Sequence, residues 1–166
     1  KTDNENVYKF LTNSRISATY FTDTSISLCN KYALGSHLKK ALSKKVWLKS
    51  GAYLVIEVTE ALTVIDVNTG KAEFHSNKEK TFEKINLEAA LEISKQLRIR
   101  NISGIIIVDF INMSKKESYQ NLEDILKSYV DCDYVKCNIW GMTHLGLMEI
   151  SRQKKEKPLN EIVGDK

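Results

Sequence analysis

Two apolar runs, each closed by an acid, limit what this chain can fold into. They are Leu62-Thr63-Val64-Ile65-Asp66-Val67-Asn68 and Gly104-Ile105-Ile106-Ile107-Val108-Asp109-Phe110. Both are too short for an ordinary helix and rich in β-branched residues, so both read as buried strands. Burying a carboxylate is costly unless it is paired, hydrogen-bonded or holding a metal. Side chains alternate along a strand, which puts Asp66 and Asn68 on one face. If the two strands are neighbours, Asp66, Asn68 and Asp109 converge at one edge of the sheet. Two carboxylates and an amide oxygen form a hard, all-oxygen site of the kind that suits magnesium or manganese. An aspartate at a strand end is also a common turn-former or helix cap, and spacing alone leaves that reading open.

The segments around these runs complete an alternating pattern. Residues 1–13 predict a short helix with Val7, Tyr8, Phe10 and Leu11 on one face, and Ser17 to Phe21 predicts a strand. Apolar residues recur at helical spacing from Ser25 to Leu42, with Gly35 as a weak point. Lys45 to Lys49 is extended, Ser50-Gly51 is a turn, and Tyr53 to Val58 forms an antiparallel hairpin with Leu62 to Asn68. Residues 71–80 are polar and predict a mobile loop. Glu83 to Arg100 is the strongest helix in the chain, rich in good helix formers, with Leu87, Ala90, Ile93 or Ser94, and Leu97 inward. It returns to the second acidic strand, as a crossover between parallel strands does. Ser114 with Glu117 predicts a capping box for a helix to about Val130. Val135 to Trp140 predicts a strand broken by Gly141, and Leu145 to about Lys157 a final helix. The expected class is α/β with α+β character: a mixed β-sheet with helices packed on it. Residues 1–46 form a small strand and helix set distinct from 47–166.

Composition narrows the function classes. Of 166 residues, 42% are hydrophobic and 28% charged, which fits a soluble globular chain. No stretch reaches the length of a membrane span and no signal-peptide pattern is present, so no membrane span is expected. Starting at Lys1 without a methionine suggests a segment of something longer. A net charge of +4 permits nucleic acid as a partner without demanding it. The three cysteines, Cys29, Cys132 and Cys137, form no Cys-x-x-Cys pair and lack nearby histidines, so zinc is not expected within this segment. They read as free buried thiols in a reducing cytoplasm. His37, His75 and His144 read as surface or loop residues, and Trp47 and Trp140 as core or interface rather than base-stacking platforms. Glu60 and Glu149 are open candidates for supporting the acid pair.

From about Tyr20 onward the chain resembles the bacterial RNase E/G family of endoribonucleases. The matching text is Lys45-Val46-Trp47-Leu48-Lys49-Ser50-Gly51, Tyr53-Leu54-Val55-Ile56-Glu57, and Thr59 to Lys71 with its Asp66-Val67-Asn68-Thr69-Gly70 centre. It continues through Asn86 to Ala90, Gln96-Leu97-Arg98, Gly104 to Met113 and Gly146 to Gln153. The resemblance implies a DNase I-like catalytic subdomain over 47–166, preceded by the end of an RNase H-like subdomain over 1–46. It implies Mg2+-dependent hydrolysis (Mn2+ being possible) of phosphodiester bonds in single-stranded, A/U-rich RNA, leaving a 5′-phosphate and a 3′-hydroxyl, for RNA processing and decay. It assigns Asp66 and Asp109 as catalytic metal ligands and Asn68 as their catalytic support. A cytoplasmic location and a homo-oligomeric whole protein are expected with it. The chain departs from the family pattern at Asn112, in the glycine-poor loop after Gly70, and at His144. The family's oligonucleotide-binding barrel and 5′-end sensor would lie upstream of Lys1, and its zinc-binding cysteine link after Lys166. Two other classes compete: a non-catalytic RNA-binding or dimerisation module, and a phosphoacceptor switch domain. The second also places an aspartate at a strand end but wants an early acidic pair that the first third lacks.

Overall fold

A computed structural model describes residues 1–23, 25–72 and 78–164. The chain divides into two compact units, Lys1–Lys40 and Ala41–Lys166. In the first, helix α1 (Glu5–Asn13) starts at Asn4, whose side chain accepts from the Asn6 and Val7 amides. The strand expected at Ser17 to Phe21 does not form. Tyr20 makes one isolated bridge to Thr2, because no second extended segment is there to continue a ladder. The helical stretch after Ser25 is broken, but not at Gly35. Helix α2 (Leu28–Lys31) ends where Ala33 takes a left-handed φ of 49°, and α3 (Leu34–Leu42) contains Gly35. The Ser36 and His37 amides both donate to the Ala33 carbonyl, so the new helix starts on that bend.

The second unit is built on a sheet. Its strands are β1 (Lys45–Trp47), β2 (Tyr53–Val58), β3 (Thr63–Asn68), β4 (Gly104–Asp109), β5 (Cys137–Met142) and β6 (Met148–Arg152). They lie in the order β1-β2-β3-β4-β6-β5. All pairs are antiparallel except β3 with β4, which helix α4 (Lys78–Ile99) connects. Helix α5 (Lys116–Val130) joins β4 to β5. The mixed α/β expectation holds. Alternation decides the layers. Leu54, Ile56, Ile65, Val67, Ile106, Val108, Met148 and Ile150 are buried in one core with Ile85, Ala89, Ile93 and Leu97 of α4 and Leu122 and Leu126 of α5. The intervening residues of β3, Val64, Asp66 and Asn68, are exposed or half-buried on the opposite face.

The largest difference from expectation lies near the C-terminus. Leu145 to Lys157 is not a helix. Met148, Ile150 and Arg152 bury alternately as β6, which pairs with both β4 and β5. The turn before it is set by Thr143, whose hydroxyl accepts from the Leu145 and Leu147 amides, and by Gly146 at φ 81°. A period-two burial pattern and a tight turn won over apolar spacing that also fits a helix. Gly141 does not end β5 either; the strand runs through it with a bulge between Ile139 and Gly141. A short helix α6 (Leu159–Val163) follows.

Other corrections are local. Ser114 is not a cap: its amide and hydroxyl both donate to the Glu79 carboxylate, and α5 starts after Lys115 with no side-chain cap. Lys78 to Lys80, expected in a loop, open α4. Residues 73–77, including His75, lie outside the described residues. Cys29 and Cys132 are exposed rather than buried, while Cys137 is partly buried and its thiol is pushed up to about 11, chiefly by that burial. Trp47 and Trp140 are not core residues; they are 56% and 69% exposed. One buried ion pair fastens the β5–β6 hairpin. Arg152 Nε lies 2.8 Å from Asp133 Oδ2, and its Nη1 donates to Asn101 Oδ1 and the Ile102 carbonyl.

Candidate active site

The parallel register of β3 and β4 makes Asp66 and Asp109 direct partners. Residues paired across neighbouring strands share a face, and the strands run about 4.8 Å apart. The two acids therefore stand side by side on the face opposite α4 and α5. Asp66 is half-buried and Asp109 exposed, so neither carboxylate is shut away from solvent. Asn68, two residues on from Asp66, joins them: its Nδ2 donates to Asp66 Oδ2 at 2.6 Å. An ionised carboxylate is an acceptor only, so it fixes the direction of the Asn68 amide. That bond occupies one Asp66 oxygen and holds the carboxylate in place. The structure thus brings together all three residues singled out from the sequence.

Backbone ties hold the loops at this end of the sheet. Gly70 has φ 54°, and a Cβ there would fall 2.5 Å from the Gly51 carbonyl oxygen and 2.9 Å from the Tyr53 ring. Only glycine lets the chain leaving Asn68 pass so close to the β1–β2 turn. The Lys71 amide then donates to that same Gly51 carbonyl. Glu88 of α4 accepts from the Lys49 and Ser50 amides on the other side of the turn. Beyond Asp109, the exit segment is gripped by Asn86, which is fully buried. Asn86 Nδ2 donates to the Ile111 carbonyl at 2.8 Å, and the Ile111 amide donates back to Asn86 Oδ1 at 3.0 Å. The Met113 amide donates to the Tyr119 hydroxyl at 2.8 Å.

The sequence model of the Ribonuclease E/G family matches residues 2–155. The chain belongs to that family. It is 41% identical over 134 residues to Ribonuclease G of Haemophilus influenzae, covering 81% of this chain and 27% of that protein. It is 38% identical to Ribonuclease G of Escherichia coli over 128 residues, 77% of this chain and 26% of that protein. It is 39% identical to Ribonuclease E of Synechocystis over 140 residues, 84% of this chain and 21% of that protein. The chain thus spans about a quarter of the length of these relatives.

Within the family member described here, the remaining sequence candidates fall outside the acid pair. Glu60 lies between β2 and β3, at the end of the sheet away from Asp66. Glu149 is exposed on β6 and faces the same side as the acids, opposite Ile107. His37 and His144 are exposed. Among the described residues no helix is long and apolar enough to cross a membrane. Sequence reasoning missed the Asn86 clamp. Its signal was an asparagine within the apolar periodicity of a helix, where a buried amide demands partners.

The donor set can be tested against a divalent cation. Among the described residues, no group of three or more His, Cys, Asp or Glu side chains gathers around one point. A closed protein cage of the sort zinc takes in structural sites needs four such ligands, more than the described residues gather at any point. Two carboxylates on one open face fit magnesium, which keeps several waters and is held by one or two carboxylates together with substrate phosphate.

Proposed function

We propose that this chain carries the cation-binding half of an endoribonuclease active site, acting on single-stranded, A/U-rich RNA in RNA processing and decay. The observation that carries the reading is the in-register pairing of Asp66 with Asp109 on the face opposite α4 and α5, with Asn68 bonded to Asp66. Family membership supplies the reaction class. In this reading Asp66 and Asp109 hold Mg2+, with Mn2+ as a substitute. A bound divalent ion there would supply charge neutralisation for a phosphodiester and acidify a water for in-line displacement. Asn68 keeps the Asp66 carboxylate turned toward the cation position. Asn86 keeps the segment after Asp109 from drifting, which holds that carboxylate beside its partner. Asp109 is exposed and Asp66 half-buried, so both carboxylates keep the solvent access that a polymer substrate requires.

The test is cleavage of labelled A/U-rich RNA by the full-length protein in Mg2+. Asp66→Asn and Asp109→Asn are expected to lose cleavage while keeping the fold, because each removes a charged ligand with little change in volume. Near-normal cleavage by either variant would end the assignment. The chain by itself is expected to bind RNA weakly and to lose it as salt rises, since +4 spread over scattered lysines reaches few phosphates. A homo-oligomeric whole protein and a cytoplasmic site of action accompany the proposal.

A further inference from the structure

Trp47, read from sequence as core or interface, is exposed, and its surroundings are specific. It pairs in register with Tyr53, and the two rings lie 5.2 Å apart at 59°. The Lys45 ammonium sits 3.5 Å from the Tyr53 ring centroid and 4.2 Å from that of Trp47. Register places the cluster with respect to the acids. Tyr53 is the direct partner of Asn68, and Val55 that of Asp66. Val46 and Leu54 turn toward the core, so Lys45, Trp47 and Tyr53 stand on the face that carries Asp66, Asn68 and Asp109. β1 and β3 both run antiparallel to β2, so Trp47 lies at the same end of the sheet as Asp66. Two strand spacings, about 10 Å, separate Trp47 from Asn68.

We propose that Trp47 and Tyr53 form a stacking platform for a base of single-stranded RNA beside the cleaved phosphodiester, with Lys45 contacting a neighbouring phosphate. This deepens the reading of Asp66 and Asp109 as the cleavage site and rests on it for the identity of the polymer. Two features favour nucleic acid over an apolar partner. An indole that stays 56% exposed against both Tyr53 and Lys45 offers ring surface with a cation beside it. Cations stand at this end too: among the described residues Lys45, Lys49 and Lys71 are exposed and pair with no carboxylate, Lys45 resting against the two rings. Rings for bases and ammonium groups for the backbone are what a single strand requires. Repelled by Asp66 and Asp109 until a cation is present, a phosphate chain would be held on this side by Lys45. The rings would then set which phosphate reaches the acids.

The experiment uses a Trp140→Phe chain, which leaves Trp47 as the one tryptophan. Its fluorescence is followed as a short oligoadenylate is added at low salt, without divalent ions so that no strand is cut. Stacking quenches the indole; inorganic pyrophosphate, which has charge but no base, should not. Unchanged fluorescence while the oligonucleotide binds, or equal quenching by pyrophosphate, would overturn the platform. Trp47→Phe keeps a ring, whereas Trp47→Leu keeps bulk without one. Trp47→Leu should weaken binding roughly 5- to 100-fold, and Trp47→Phe far less. Equal binding by the two would also overturn it. In full-length protein with Mg2+, Trp47→Leu should raise KM and leave kcat nearly unchanged, the pattern of lost uniform binding. An unchanged KM in an active enzyme refutes the platform and leaves the cleavage reading intact. Quenching in a protein that cuts no RNA refutes the cleavage reading and leaves the platform standing.

Discussion

Replacing Asn86 separates the support of the site from its ligands. Its amide is fully buried and makes both bonds to Ile111, two residues beyond Asp109. Asn86→Leu keeps the branching and the number of heavy atoms and removes donor and acceptor together. Each lost bond is worth about 1 kcal/mol net, and an Ile111 group left dry adds its desolvation cost. Ile111 is itself only half-buried, so water can reach part of the gap. The expected cost is about 2 to 3 kcal/mol, read as a lower urea midpoint at unchanged slope. Hydrogen exchange at the Ile111 amide should quicken by more than global destabilisation explains. Asn86→Asp sharpens the test. Its carboxylate still accepts from the Ile111 amide but faces the Ile111 carbonyl with no donor unless protonated. Burial raises such a carboxyl above its unfolded value, so the variant should be most stable at low pH. That stability is lost as pH rises through the raised folded value. A cost below about 1 kcal/mol for Asn86→Leu with unchanged Ile111 exchange, or an Asn86→Asp variant whose stability relative to the parent ignores pH, would refute the clamp.

Three further outcomes follow from the packing. Asp133→Ala strands the buried Arg152 charge and should cost about 3 to 5 kcal/mol, whereas a paired exchange to apolar residues should cost much less; equal losses in denaturation midpoints would contradict this. Burial works against the Asp133 carboxylate, but the Arg152 hydrogen bond and charge and the Val135 amide together hold it below its usual 3.8, so its stabilisation is full above that value and is lost as acid titration passes through the lower folded value. Gly70→Ala combines a positive φ with a contact at 2.5 Å and should cost at least about 2 kcal/mol, seen as a fall in Tm of several degrees; an unchanged Tm would show that the Gly51 turn yields freely. Thiol alkylation should reach Cys29 and Cys132 well before Cys137, whose thiol burial raises to about 11, and mass spectrometry of the partly modified chain would show the order.

The meeting of Asp66, Asn68 and Asp109 was legible because strand alternation is a local signal, while their role as metal ligands came from the family resemblance and not from spacing. A β-branched run ending in Asp66-Val67-Asn68 fixes both strand and face by alternation, and the helix from Glu83 to Arg100 forces the return that makes β4 a parallel neighbour. Register then pairs Asp66 with Asp109. The C-terminal hairpin was not legible, because Leu145 with Met148 and Leu147 with Ile150 have helical spacing, while Met148 and Ile150 also fit alternate positions of a strand. Burial of Arg152 on Asp133, nineteen residues away, decides between them, and no local pattern carries that. Ser114 shows the same limit on a smaller scale. Its capping sequence is sound, yet Glu79 on a neighbouring helix takes its amide and hydroxyl. Trp47 was read as core or interface by residue type, although alternation with Val46 and Leu48 places it outward.

The central claim is that Asp66 and Asp109 together hold one divalent cation. Titrating the chain with Mn2+ and following the free-ion signal by electron paramagnetic resonance measures this without RNA or turnover. The account predicts one Mn2+ bound per chain, displaced by excess Mg2+, with binding lost in both Asp66→Asn and Asp109→Asn. Asn68→Ala should weaken binding without abolishing it, since Asn68 orients Asp66 rather than replacing it. Undiminished Mn2+ binding by the double variant Asp66→Asn with Asp109→Asn would place the cation elsewhere and contradict the account.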